Sequence, residues 1–214
     1  MLPGRRRLLL MADALSATRR GQLGRRIRLL VAATIAYNLV EAAVALTEGA
    51  RVSSAALIGF GLDSLIEVSS AAAIAWQFSA KDPEAREKTA LRIVALSFFA
   101  LAVYVTVDAT LALAGQQEPR HSPIGIGLAA ASLAIMPLLS WAQRRAGSEL
   151  GSRSAVADSK QTLLCTYLSA VLLAGLLLNS VAGWWWADPI AALVIAGVAA
   201  REGRDAWRGD NCCR

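Results

Sequence analysis

Six long blocks of apolar residues, separated by short polar connectors, dominate this 214-residue sequence. A transmembrane helix needs roughly 20 predominantly apolar residues, and each block approaches that length with almost no charge. The blocks are residues 29–46, 55–76, 93–114, 124–142, 163–178 and 186–200. The connectors are too short to fold as a separate domain, which takes roughly 50 residues or more. The pattern predicts an all-α, polytopic membrane protein with six transmembrane helices.

The composition excludes several other classes of protein. Apolar residues make up 56% of the chain and charged residues 18%, whereas soluble domains average about 25% charged residues. The three cysteines form no disulfide pattern, and the single histidine, His121, stands alone in a connector outside the apolar blocks, so no catalytic nucleophile–histidine pair is expected. A disulfide scaffold and an enzyme are therefore both disfavoured.

The basic residues predict how the chain is oriented in the bilayer. Twenty of the 22 Lys and Arg lie before the first block, after the last, or in the second and fourth connectors. The excess of positive charge marks the cytoplasmic side, so both termini are expected there. The net charge of +6 is thus explained without a nucleic-acid partner. The Arg- and Ala-rich usage suits a bacterial inner-membrane protein.

These patterns divide the chain into three parts. Residues 1–28 are expected to form a basic cytoplasmic arm, residues 29–203 the six-helix transmembrane domain, and residues 204–214 a short cytoplasmic tail. Asp82-Pro83, Ser122-Pro123 and Asp188-Pro189 predict the starts of the third, fourth and sixth helices, because a polar cap followed by proline is typical of a helix N-terminus.

Asp63 and Glu67 form the clearest candidate site. A carboxylate inside a membrane is expensive and is functional by default. A separation of four residues puts both on one face of the second helix, one turn apart. A divalent cation or a shared proton would relieve their repulsion. Alternatively, each is a protonated acid that hydrogen-bonds to a neighbouring helix.

The fifth helix carries a second polar stripe, formed by Asp158, Gln161 and Cys165. Carboxylate, amide oxygen and thiolate are all ligands for first-row transition metals. Taken alone, Cys165 also suits a small buried apolar position, and Gln161 also suits a hydrogen bond between helices. Glu41 in the first helix and Asp108 in the third have two interpretations. They either line an entry path or relay protons, or they are satisfied by neighbouring polar side chains.

Three segments resemble the cation diffusion facilitators. Leu46–Ala73 is similar to that family's first-to-second helix region, Ala157–Ser169 to its fifth-helix pattern, and Trp186–Trp207 to its sixth helix. The resemblance implies export of a divalent metal, mostly zinc and in some members manganese, iron or cobalt, by a dimer that exchanges metal for protons. It implies that the metal is substrate rather than a resident cofactor.

Carried over residue by residue, the family's four transport ligands fall on Asp63, Glu67, Gln161 and Cys165. The fifth-helix pair departs from the family pattern, with glutamine for histidine and cysteine for aspartate, which makes Asp158 a candidate substitute ligand. The family usually has a cytoplasmic metal-binding domain after the sixth helix, so a member with the membrane domain alone is expected. The alternative is a membrane interaction partner or metal sensor that does not transport.

Overall fold

The described part of the chain forms six α-helices, as the apolar blocks predict. The computed structural model describes the backbone of residues 3–78, 83–115, 118–150 and 153–208, and the side chains of residues 19, 21–72, 88–89, 91–115, 118–150, 159 and 162–208. The helices are α1 (Pro3–Val52), α2 (Ala55–Phe78), α3 (Pro83–Leu113), α4 (Pro123–Leu150), α5 (Arg153–Ala182) and α6 (Ala187–Arg208). The all-α prediction is confirmed.

Five stretches of the described residues are long and apolar enough to cross a bilayer. They are Gly21–Val52, Ala55–Ala72, Leu91–Leu113, Pro123–Leu150 and Thr162–Ala182. The prediction of a polytopic membrane protein is therefore confirmed. Charged residues occupy the last turns of α6, and a sixth transmembrane span formed by this helix stays a prediction. The cytoplasmic position of both termini also stays a prediction.

The predicted basic arm and the first apolar block belong to one helix. α1 begins at Pro3 and continues to Val52 over 50 residues. The boundary predicted at residue 28 therefore falls within a helix, and the division of the chain into arm, transmembrane domain and tail stays a prediction. The tail from residue 209 lies outside the described residues.

α2 lies at the centre of the bundle. It packs against α1, α3, α5 and α6, while α4 packs mainly on α5 and α3 mainly on α6. The buried core includes Phe60 and Leu57 of α2, Met136 of α4 and Leu172 of α5. A polar residue on the inward face of α2 is consequently surrounded by helices rather than by lipid.

The outer surface of the bundle is apolar. Large hydrophobic side chains are exposed on all six helices, among them Val40, Val103, Leu138, Val181 and Val194. Such a surface suits lipid chains. Trp184, Trp185 and Trp186 are also exposed at the start of α6, and the rings of Trp184 and Trp186 stack with their centroids 5.1 Å apart.

The helix starts agree with their sequence signals in two cases and differ in a third. α3 begins at Pro83 and α4 at Pro123, where the Ser122 hydroxyl accepts a hydrogen bond from Gly125 N at 2.9 Å. α6 begins one residue before Asp188. The carboxylate of Asp188 accepts from Ser54 Oγ at 2.5 Å and from Ala56 N at 3.4 Å. Asp188 therefore caps the N-terminus of α2, where backbone amides lack partners within the helix.

Candidate metal centre

Asp63 and Glu67 lie on the central helix, as the sequence predicts. Asp63 is 5% exposed, and Glu67, one turn further along α2, is half-buried. Because α2 is surrounded by four other helices, the two carboxylates point into the bundle. A pair of acids in this environment is costly unless it is hydrogen-bonded, protonated or neutralised by a cation.

The first helix contacts this pair directly. Asn38 Nδ2 on α1 donates a hydrogen bond to Glu67 Oε2 at 2.6 Å. The Asn38 side chain is 2% exposed, and its oxygen, Oδ1, is a buried atom without a hydrogen-bond partner among the described residues. The sequence did not single out Asn38 as a site residue. Its position three residues before Glu41 is the signal that was available, since both lie on one face of α1.

Glu41 connects four helices at the middle of the bundle. Its carboxylate accepts hydrogen bonds from Ser64 Oγ on α2 at 2.7 Å and from Ser132 Oγ on α4. The thiol of Cys165 on α5 lies 3.9 Å from Glu41 Oε2. Tyr37 OH, on the same helix as Glu41, is 2.8 Å from Ser132 Oγ. Of the two interpretations of Glu41, the structure supports satisfaction by neighbouring polar groups.

Cys165 lies at the same centre from the side of α5. Its side chain is fully buried, and its thiol lies within electrostatic range of Glu67, Glu41 and Asp63. The predicted partners Asp158 and Gln161 are on α5, but their side chains lie outside the described residues. Their roles as ligands stay predictions.

The described carboxylates and thiol do not by themselves form a complete metal cage. Among the described side chains, no three of the types His, Cys, Asp and Glu lie close enough to hold a metal ion. A cation held at this centre therefore needs a donor of another type, such as an amide oxygen, or closure of the helices around it.

A chain of amide and hydroxyl groups lies on the side of the centre that is predicted to face the cytoplasm. Gln143 Nε2 on α4 donates to Thr34 Oγ1 on α1 at 3.2 Å, and Thr162 Oγ1 on α5 donates to Gln143 Oε1 at 3.0 Å. The sequence alone does not mark Gln143 as a site residue, because it directly precedes Arg144 and Arg145, where a polar residue suggests a membrane interface.

Two other acidic residues lie at the opposite end of the bundle. Asp108 on α3 is half-buried and interacts electrostatically with Asp188. Glu48 on α1 is buried and accepts hydrogen bonds from Arg51 Nε at 2.8 Å and from Ser122 Oγ at 2.6 Å. Asp108 is therefore not part of the group formed by Asn38, Glu41, Asp63, Glu67 and Cys165, which we call the central cluster.

A helical bundle with an apolar exterior and a buried acidic cluster defines a polytopic membrane protein with a polar centre. Residues 31–208 match the cation efflux transmembrane domain. This match covers most of the chain, and the protein belongs to the cation efflux family, which consists of transporters rather than enzymes. The resemblance read from the sequence is confirmed.

A curated relative gives a second, partial comparison. The uncharacterized transporter sll1263 of Synechocystis sp. is 30% identical over 95 residues. The aligned segment covers 44% of this chain and 31% of the relative. The chain thus aligns with about a third of that protein's length.

Proposed function

We propose that this protein carries a divalent transition-metal cation across the membrane, in the direction of efflux and in exchange for protons. The observation that carries the proposal is the pairing of the buried Asp63 with the half-buried Glu67 on the central helix, beside Asn38 of α1 and Cys165 of α5. Membership of the cation efflux family and the name of the Synechocystis relative agree with it.

The chemistry of the cluster suits exchange of metal for protons. A metal binds carboxylates and thiols in their deprotonated form, so metal and proton compete for the same atoms. In the proposed cycle, a cytoplasmic cation displaces protons from Asp63 and Glu67, and the hydrogen bond from Asn38 to Glu67 rearranges. The helices then expose the loaded cluster to the other side, where protons return and release the cation.

A zinc-like ion is the proposed substrate class, with cobalt, manganese and iron(II) as further candidates. Thiolate favours zinc, and carboxylate and amide oxygen suit manganese. Cys165 supplies the first type of donor, and Asp63 and Glu67 supply the second. Asp158 and Gln161 on α5 remain proposed as additional ligands.

The proposed assembly is a homodimer in a bacterial inner membrane. Exposed apolar side chains cover the outside of the described bundle, so one face can pack against a second copy while the rest contacts lipid. Small residues permit close approach of helices in membranes, and such residues are frequent in these helices.

Uptake of metal into proteoliposomes under an imposed pH gradient tests the function. Zinc, cobalt, manganese and iron(II) are compared for the parent and for the Asp63→Ala/Glu67→Ala double variant. Glu48→Gln is the matched control, because it removes a buried carboxylate at the opposite end of the bundle from the central cluster. Gradient-dependent uptake in the parent and in the control, but not in the double variant, is the expected result.

A second candidate function is that of a non-transporting partner or metal sensor. The observation that favours it is that the described carboxylates and thiol do not form a group of three around one point. Folded parent protein that moves none of the four metals would support this candidate and contradict the transport proposal.

A further inference from the structure

Asn38 has a buried atom that the fold leaves unsatisfied. Its Nδ2 donates to Glu67, but among the described residues its Oδ1 has no hydrogen-bond partner. Among the described residues, no other buried side-chain nitrogen or oxygen atom lacks a hydrogen-bond partner. Buried polar atoms in folded proteins nearly always have a partner, so an exception of this kind points to a ligand or an ion.

The orientation of the amide follows from its neighbour. If the nitrogen and oxygen of Asn38 were exchanged, the amide oxygen would meet the carboxylate oxygen of Glu67, and both atoms are acceptors. The nitrogen therefore faces Glu67. Because the amide is planar and both atoms are bonded to one carbon, Oδ1 is held beside the carboxylate.

The nearby hydroxyl groups are already engaged. Ser64 donates to Glu41 at 2.7 Å, and Ser132 bonds to Glu41 and Tyr37. A cation would satisfy Oδ1 instead, because side-chain amide oxygens are ordinary ligands of divalent cations in proteins. The adjacent carboxylate of Glu67 would supply negative charge to the same ion.

We propose that Asn38 Oδ1 is a cation ligand contributed by the first helix, and that it makes the central cluster accept oxygen-preferring divalent cations such as Mn²⁺. The proposal rests on the proposed function, since it concerns the same substrate. The ligands implied by the family resemblance come from the second and fifth helices alone. An amide oxygen from α1 adds a donor of the type that manganese prefers and zinc does not require.

Calorimetric titration of the purified full chain with Mn²⁺ and with Zn²⁺ tests the assignment. Asn38→Leu removes the oxygen at similar size, and Asn38→Asp keeps an oxygen. The control is Asn179→Leu, which removes another buried amide, whose Nδ2 donates to Pro119 O at 3.0 Å away from the central cluster.

Loss of the oxygen should weaken Mn²⁺ binding by about 10- to 100-fold, the range that follows loss of groups supporting a metal site. The affinity for Zn²⁺ should fall less, so the preference for Mn²⁺ over Zn²⁺ should decrease. Asn38→Asp and Asn179→Leu should both retain the parent's affinity for Mn²⁺ within a few-fold.

Three outcomes would overturn the assignment. The first is a folded Asn38→Leu protein with the parent's affinity for Mn²⁺. The second is a folded Asn38→Leu protein whose affinities for Mn²⁺ and Zn²⁺ fall by the same factor. If the Asn38→Leu protein does not fold, the Asn38→Asp variant decides the question. The third outcome is a folded Asn38→Asp protein that does not bind Mn²⁺. Failure of the proposed function differs from all three, because it is seen in the uptake assay as a folded parent protein that moves none of the four metals.

Discussion

The Ser64 hydroxyl on α2 lies 2.7 Å from Glu41 Oε2 on α1, and it donates a hydrogen bond to that carboxylate. The other oxygen of Glu41 accepts from Ser132 on α4. One buried acid thus joins the central helix to two others. Asn38, which contacts Glu67 one turn away, is positioned by the same helix. Glu41 therefore supports the cluster from which the proposed cation ligands come.

Replacement of Glu41 should affect stability more than transport. Glu41→Ala removes both hydrogen bonds and leaves a cavity, and it should lower the free energy of unfolding by about 1–3 kcal/mol. Glu41→Gln keeps the volume and one acceptor, so its loss should be smaller and its metal uptake should persist. Thermal unfolding in detergent and uptake into proteoliposomes measure the two effects.

The opposite result for Glu41→Gln would change the interpretation of this residue. A variant as stable as the parent that no longer binds any metal would show that Glu41 is itself a ligand. Ser140→Ala is a suitable control for the stability measurement. Its hydroxyl donates to Ser159 O at 2.6 Å, so it also removes a buried hydrogen bond between helices but touches no residue of the central cluster.

Replacement of Cys165 should change which metal is preferred. Cys165→Ser keeps a small polar side chain but removes the sulfur. Because thiolate favours the softer ions, uptake of zinc and of cadmium should fall by about tenfold relative to uptake of manganese. Uptake of each metal in competition with manganese measures the ratio. An unchanged ratio would show that Cys165 only fills space beside Glu41, where its thiol lies 3.9 Å from Oε2.

The arrangement of helices along the chain could be predicted because it depends on local signals. Apolar length predicts a span, and Pro83 and Pro123 predict helix starts because proline fits the first helical position. α6 begins at Ala187, two residues before the predicted Pro189, because Asp188 is used elsewhere. Its carboxylate contacts Ser54 and Ala56 at the start of α2, and no local pattern predicts a cap supplied across the bundle.

The central cluster could be predicted only in part. Asp63 and Glu67 are recognisable because two carboxylates on one face of a membrane helix are rare and costly. Asn38 and Glu41 could not be assigned because α1 is apolar around much of its circumference in this region. The sequence pattern therefore does not indicate which face meets α2 and which meets lipid. Packing sets that rotation, and packing depends on the other helices.

Close packing of α5 against α6 depends on Gly175. A Cβ atom added there would lie 2.8 Å from Ala191 Cβ and 3.2 Å from Ala187 O, both on α6. Gly175→Ala should therefore lower the free energy of unfolding by about 1–3 kcal/mol, as overpacking of a tight core does. Gly197→Ala on α6 is the matched control, because nothing lies within 4 Å of its added Cβ, and it should stabilise the helix by up to about 1 kcal/mol. Thermal unfolding of both variants in the same detergent measures the difference, and equal unfolding temperatures would contradict the close approach of these helices.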